Sequence, residues 1–157
     1  MEPLYRIEAH FTSLTVVGAL PDGLRLDAHF EGRVVDGEFE GATVRGSDYL
    51  RFRPDGIGVL DVREILERDG DRIDVHAGGY LVPPDGFVMP PPEVISAPGF
   101  TWPEIDMPMH GFVTFATATP DWNELNRTVA TFSGSANPGA GTIVVEAAAV
   151  VPEAVGV

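Results

Sequence analysis

The sequence predicts an all-β fold, in which an antiparallel meander of about eight strands closes into a β-barrel. Asp-Gly pairs divide the chain into strand-length segments, and Asp-Gly is a strong hairpin signal because both residues tolerate the positive φ of tight turns. The content of 18 Gly and 14 Pro is typical of a turn-rich β protein. We expect the long meander to close into a barrel, because closure removes the exposed edges of its first and last strands. A barrel of this size can hold one small ligand. The Asp-Gly pairs begin at Asp22, Asp36, Asp55, Asp69 and Asp85.

The segments between these turns define the predicted elements. Strands are expected near residues 4–18, 24–35, 38–53, 57–68, 71–82, 109–118, 127–136 and 142–151. The Pro-rich segment from Pro83 to Pro108 cannot form a central strand and is expected to be a long loop over one mouth of the barrel. Residues 62–68 (VREILER) contain good helix formers, but the turns on both sides favour a strand. Residues 1–151 form one predicted domain, and 152–157 are a tail.

Composition excludes several classes of function. The net charge of −14 disfavours nucleic acid and anionic membranes as partners. The absence of Cys excludes disulfides and thiolate catalysis, and the absence of Lys excludes Schiff-base chemistry. The four His show no metal-binding spacing, so neither a metal nor another cofactor is predicted. With no signal-peptide pattern and no membrane-length apolar run, a cytoplasmic location is expected.

The turn at Asp55-Gly56 predicts a polar cluster. Asp48 shares one strand face with Leu50. A two-residue loop would place Asp48 opposite Arg63 and Leu50 opposite Asp61. Asp48, Asp61 and Arg63 would then be interior neighbours, and we predict them as catalytic residues. A structural ion pair that closes the sheet fits the same pattern equally well.

The next hairpin contains a conflict. A two-residue loop there would place His76 opposite Arg63, with Tyr80 on the same interior face. Ile73 and Val75 would then point away from the interior. A bulge, or a loop of another length, would instead turn His76 outward. The sequence leaves these alternatives open.

Three stretches resemble one family: GEFEGATVRGSDYLRFRPDG, GVLDVREILERDGDRIDVHAGG and TPDWNELNRTV. The chain is similar to domain-of-unknown-function family 3237, also called uncharacterised protein family 0311. The matching residues are Gly37, Phe39, Gly41, Gly46, Asp48, Tyr49, Pro54, Asp55, Gly56, Leu60, Asp61, Arg63, Trp122, Glu124, Leu125 and Asn126. Tyr49 stands where the family usually has Trp, and Glu124 stands where a second aromatic is expected, which implies a different ligand.

The resemblance implies a small β-barrel and a cofactor-free activity of secondary metabolism, in which a hydroxyl adds to an alkene of the same molecule. We therefore expect an isomerase, cyclase or lyase that uses acid–base chemistry in the barrel. The alternatives are a non-catalytic carrier of a hydrophobic small molecule and a structural protein with a filled core. The oligomeric state stays open, including a homo-oligomer. The predicted substrate-binding residues are Tyr49, His76, Tyr80, His110, Trp122 and Asn126.

Overall fold

The computed structural model describes residues 2–154 and 156 and confirms the predicted fold class. Eight antiparallel strands form a closed barrel in which each strand pairs with the next and the last pairs with the first. The strands are β1 (Glu2–Leu20), β2 (Gly23–Gly37), β3 (Thr43–Phe52), β4 (Gly58–Arg68), β5 (Asp71–Leu81), β6 (Met107–Thr117), β7 (Val129–Asn137) and β8 (Thr142–Ala149).

Two short helical pieces interrupt the meander. The helix α1 (Pro92–Ile95) lies within the Pro-rich segment between β5 and β6. A 3₁₀ segment (Pro120–Arg127) connects β6 to β7 and was not predicted from the sequence. Residues 62–68 lie in β4, as the flanking turns indicated. No helix in the described part of the chain is long and apolar enough to cross a membrane.

The connections divide between two ends of the barrel because successive strands run in opposite directions. The open end carries the β1–β2, β3–β4 and β7–β8 hairpins and the Pro-rich segment. The closed end carries the turn at 38–42, the β4–β5 hairpin and the 3₁₀ segment. Phe39 is fully buried at the closed end, and its ring lies edge-on against Trp122 with 5.4 Å between centroids. This packing closes that end of the barrel.

The β3–β4 hairpin has a loop one residue longer than the sequence analysis assumed. Arg53 and Ile57 close the hairpin through a backbone hydrogen bond of 2.9 Å, so the loop is Pro54-Asp55-Gly56. Gly56 adopts φ 86°, the left-handed conformation that such three-residue loops place at their third position. The resulting register sets Asp48 opposite Val62.

This register overturns part of the predicted cluster. A shift of one residue moves every side chain of a strand to the other face. Asp61 and Arg63 are therefore exposed on the outside of the barrel, and the prediction that they lie inside with Asp48 is wrong. Glu64 points inward in their place, among the residues that line the interior.

The β4–β5 hairpin follows the predicted register, with Arg63 opposite His76. Because Arg63 faces outward, His76 faces outward as well. Ile73 and Val75 are fully buried in the interior. The loop length of the preceding hairpin thus resolves the conflict that the sequence left open.

Candidate functional site

A cavity of about 110 Å³ lies inside the barrel and extends from Tyr5, near the closed end, to the open end. Aliphatic and aromatic side chains form most of its wall. Met89 and Trp102 from the Pro-rich segment and Pro138 from the β7–β8 hairpin lie at its mouth. Ordinary ligand pockets span roughly 300–1,000 Å³, whereas an apolar cavity of roughly 150 Å³ holds benzene. At about 110 Å³ the cavity is smaller than either, so even a molecule of one ring requires movement of the wall or mouth residues.

Asp48 brings a carboxyl group into this apolar wall. Strand β3 alternates between the two faces of the sheet and directs Asp48 inward in line with Leu50. The Oδ1 atom accepts a hydrogen bond of 2.9 Å from the backbone N–H of Asp61 on β4. The accessible part of the side chain faces the cavity. Burial raises the pKa of Asp48 to about 7, although the hydrogen bond from Asp61 acts in the opposite direction.

Glu64 is a second interior carboxyl group, and the sequence analysis missed it. It lies on β4 opposite Gly46, where a Cβ atom would stand 2.6 Å from the Cβ of Glu64. Only glycine leaves room for this side chain. Among the described residues, none forms a hydrogen bond or ion pair with the Glu64 carboxyl. Burial raises the pKa of Glu64 to about 7.

Tyr5 supplies the third oxygen-bearing side chain of the cavity wall. The residue is 5% exposed, and its ring contacts Phe39 and Phe115 at the closed end. Burial raises the pKa of Tyr5 well above its usual range, and the nearby charge of Glu64 acts in the same direction. The phenol is therefore a neutral hydrogen-bond donor at physiological pH.

The cavity wall contains no positively charged side chain. No Arg or His is among the residues that form it. The two carboxyl groups are thus not held as ion pairs, although buried charges usually are. This wall disfavours anionic ligands and accepts neutral molecules that can take a hydrogen bond from a protonated carboxyl or phenol group.

Asp61, Arg63 and His76 instead form part of the outer surface. The side chains of Asp61 and His76 are 59% and 37% exposed, and Oδ1 of Asp61 lies 3.6 Å from Nε2 of His76. The His76 ring also meets Phe112 edge-on. None of these groups reaches the cavity, so only Asp48 of the three predicted catalytic residues lies there.

Three further predicted ligand contacts also lie outside the barrel. Arg25 stacks over the ring of Tyr49 at 5.4 Å, and Arg53 stacks over Tyr80 at 5.5 Å. His110 is exposed beside Tyr80, with 6.1 Å between the ring centroids. These side chains cannot contact a ligand in the cavity.

Trp122 and Asn126 belong to the closed end. The Arg68 guanidinium carbon lies 5.4 Å from the centroid of the Trp122 ring, and that ring also packs against Phe39. The Asn126 amide accepts a hydrogen bond from the Thr117 N–H at 2.8 Å and donates one to the Thr117 carbonyl at 3.0 Å. Both residues hold the 3₁₀ segment against the barrel and do not line the cavity.

The described residues do not bring three or more His, Asp or Glu side chains together in an arrangement that could hold a metal ion. The polar groups that the fold does bring together are Tyr5, Asp48 and Glu64, which come from β1, β3 and β4. Their chemistry is that of proton donors and acceptors.

The fold and the cavity define a class: a small closed β-barrel with carboxyl groups in an apolar cavity. The chain belongs to the family described as protein of unknown function (DUF3237), whose model matches residues 1–150. This result confirms the resemblance drawn from the sequence. None of the curated proteins matches the chain.

Solved structures show the same fold. A β-barrel-like protein from Acinetobacter baumannii AYE is 22% identical, with a TM-score of 0.71 over 94% of this chain and 93% of that one. A conserved protein of unknown function from Rhodopseudomonas palustris is 22% identical, with a TM-score of 0.68 over 96% of each chain. A protein of unknown function from Clostridium acetobutylicum ATCC 824 is 20% identical, with a TM-score of 0.75 over 96% and 98%.

Proposed function

We propose that the protein is a cofactor-independent enzyme of the isomerase, cyclase or lyase type. It performs acid–base chemistry on a small hydrophobic molecule in the barrel cavity. The observation that carries this proposal is the Asp48 carboxyl group, which faces an apolar cavity and has its pKa raised to about 7. A group with a pKa near the working pH both accepts and returns a proton efficiently. The family resemblance extends the proposal to secondary metabolism.

The lack of a counterion argues against a purely structural role for Asp48. A carboxyl group that serves only to close a sheet is stabilised by a cation, because an unpaired buried charge is costly. Here the carboxyl group accepts one backbone N–H hydrogen bond, and the described residues of the cavity wall include no cation to pair with it. Burial of this kind, combined with a shifted pKa, is concentrated at functional sites.

The second candidate is a binding protein without catalysis. The almost wholly apolar wall and the mouth covered by Met89 and Trp102 favour it. The same ligand would occupy the same cavity, so the two functions differ only in whether a proton moves.

Three small uncharged probes test the proposal, one for each reaction type. They are the β,γ-isomer of cyclohexenone for isomerisation, an open-chain hydroxy-enone for cyclisation, and a β-hydroxy ketone for loss of water. We expect the protein to accelerate at least one reaction over buffer, and Asp48→Asn to remove roughly 10²–10⁴-fold of that rate.

Asp61→Asn is the matched control. It changes an exposed carboxyl group next to the site and keeps the backbone N–H that Asp48 requires. Because the charge of Asp61 also raises the pKa of Asp48, its maximal rates should match those of the unmodified protein, with the pH profile shifted to lower pH. Binding of the probes without any turnover would establish the carrier instead, and unchanged turnover in Asp48→Asn would overturn the assignment of Asp48.

A further inference from the structure

We propose that Glu64 and Tyr5 donate hydrogen bonds to the oxygen of an enolate, and that Asp48 is the base that generates this enolate from a small uncharged ketone. This inference rests on the proposed function. It assigns a substrate class and two residues that neither the sequence patterns nor the family comparison identified.

The three groups converge on one cavity from three strands. Asp48 lies opposite Val62 and Glu64 lies opposite Gly46, so the two carboxyl residues are diagonal neighbours on β3 and β4. Such neighbours have Cα atoms roughly 7–8 Å apart, a separation that a single ring spans. Tyr5 approaches from the closed end, near enough to Glu64 for the charge of Glu64 to affect it. A ketone in the cavity can therefore meet one carboxyl at its oxygen and the other at a carbon.

The hydrogen-bond pattern assigns the roles of the two carboxyl groups. The N–H of Asp61 stabilises the ionised form of Asp48, which suits a base. Glu64 has no donor facing it among the described residues, so nothing comparable stabilises its anion. Burial raises the pKa of Glu64 to about 7, which favours its protonated form. Glu64 then remains protonated and donates its O–H, and the neutral Tyr5 phenol donates a second hydrogen bond. A protonated carboxyl group and a tyrosine are an established combination for stabilising an enolate in an apolar site.

The cavity also limits the substrate. A wall without cations disfavours carboxylates and phosphates, and a volume of about 110 Å³ limits the substrate to one ring at most, with movement of the wall side chains. These limits fit a small neutral ketone, and a carbon–carbon double bond one position away from conjugation lets one base both remove and return the proton.

The reaction balances without an oxidant or reductant. The Asp48 carboxylate takes a proton from the carbon between the carbonyl and the alkene. The C–H electron pair forms a new carbon–carbon double bond, and the carbonyl π pair moves to oxygen, where Glu64 and Tyr5 hydrogen-bond the oxyanion. Asp48 returns the proton to the far carbon of the original alkene. The carbonyl re-forms, and the product is the conjugated isomer.

The test uses two probes with the full chain. Conversion of the β,γ-isomer of cyclohexenone to the α,β-isomer is followed by ultraviolet absorbance. Binding of para-fluorophenol, a stable analogue of the enol whose phenolate form mimics the enolate, is followed by fluorine NMR. Asp48→Asn should lose isomerisation by about 10²-fold or more and still bind the phenol. Glu64→Leu and Tyr5→Phe should each weaken phenol binding by roughly tenfold, the usual effect of one lost hydrogen bond.

Two controls isolate the donors. Glu64→Gln keeps an N–H donor and should retain more phenol binding than Glu64→Leu, and it covers the case in which the Leu variant fails to fold. Arg63→Gln alters the neighbouring outward side chain and should match the unmodified protein in both measurements. Benzoate, which is similar in size but anionic, should not compete with para-fluorophenol.

Several outcomes overturn the inference. They are unchanged phenol binding in Tyr5→Phe and in a folded Glu64→Leu variant, joint loss of binding and isomerisation in Asp48→Asn, and effective competition by benzoate. Asp48-dependent cyclisation of the hydroxy-enone without isomerisation of cyclohexenone rejects this inference and leaves the proposed function standing. If no probe reacts, both are rejected.

Discussion

Two carboxyl groups inside an apolar barrel make the interior sensitive to pH. Asp48 and Glu64 both have pKa values raised to about 7 by burial. Their usual values are about 4, so between pH 4 and 7 the folded protein binds protons that the unfolded chain releases. The stabilisation that these protons provide is complete below pH 4 and is lost as the pH rises through 7. The interior carboxyls therefore oppose folding most at alkaline pH.

Glu64→Gln should remove part of this pH dependence. We expect the variant to gain stability relative to the unmodified protein on going from pH 5 to pH 8, on the order of 1–3 kcal/mol. Urea unfolding at both pH values measures the difference. Surface carboxyls such as Asp22 and Asp55 contribute to the pH dependence of stability in the opposite direction, because hydrogen bonds from Arg51 and Arg53 lower their pKa values. This contribution is the same in the variant and the parent, so it cancels when the two proteins are compared. Parallel pH profiles for the two proteins would contradict the expectation.

At the scale of single elements, the β3–β4 loop decides which side chains enter the cavity. Its three residues set the register of β4 against β3, and that register directs Glu64 inward and Arg63 outward. Arg53 and Asp55 reinforce the loop with an ion pair of 2.7 Å. The composition of the cavity thus depends on a turn at the open end of the barrel.

Gly56→Ala tests this turn. Gly56 adopts φ 86° with open space around its missing Cβ, so the substitution costs conformational strain and causes no clash. We expect a loss of about 1 kcal/mol in the free energy of unfolding. Pro54→Ala, in the same loop but without a left-handed requirement, should cost less. Equal stability of Gly56→Ala and the parent in chemical denaturation would show that the loop does not need this conformation.

The 3₁₀ segment fastens the closed end through Asn126. Asn126→Ala removes both hydrogen bonds to the Thr117 backbone and should destabilise the protein by about 1–2 kcal/mol. Asn123→Ala is the matched control, since Asn123 makes only a 3.4 Å contact with Asn126 and should cost little. Thermal unfolding distinguishes the two variants, and similar midpoints for both would remove the assigned role of Asn126.

At the scale of the whole molecule, the two tryptophans mark the two ends of the barrel. Trp102 lies in the cavity wall near the mouth and packs edge-on against Phe100, with 5.1 Å between ring centroids. Trp122 packs against Phe39 at the closed end. A ligand that enters from the open end therefore meets one tryptophan and not the other.

Cyclohexanone binding should consequently quench the fluorescence of Trp102 with saturation. The effect should persist in Trp122→Phe and disappear in Trp102→Phe, because quenching by a carbonyl requires contact with the indole. Fluorescence titration of the parent and both variants measures it. Quenching that survives in Trp102→Phe would place the ligand away from the mouth.

The sequence by itself determined the all-β class, the antiparallel order and the long Pro-rich connection. These features follow from local chemistry: Asp-Gly turns fix where strands end, and proline prevents a central strand. The alternation around Leu50 also identified Asp48 as an inward carboxyl, because a single strand carries that information.

Only the tertiary structure decided which neighbours Asp48 has. Pro54-Asp55-Gly56 permits a two- or a three-residue loop, and the choice exchanges Arg63 for Glu64 inside the barrel. Burial of Ile73 and Val75 in the core selects the three-residue loop, because the two-residue loop would expose both residues. Tyr5 joins the site because closure of the sheet brings β1 around the same interior. Side chains alternate between the two faces of each strand, so the sequence of a strand defines both faces. Which face turns inward is determined only when the strands assemble and bury the core.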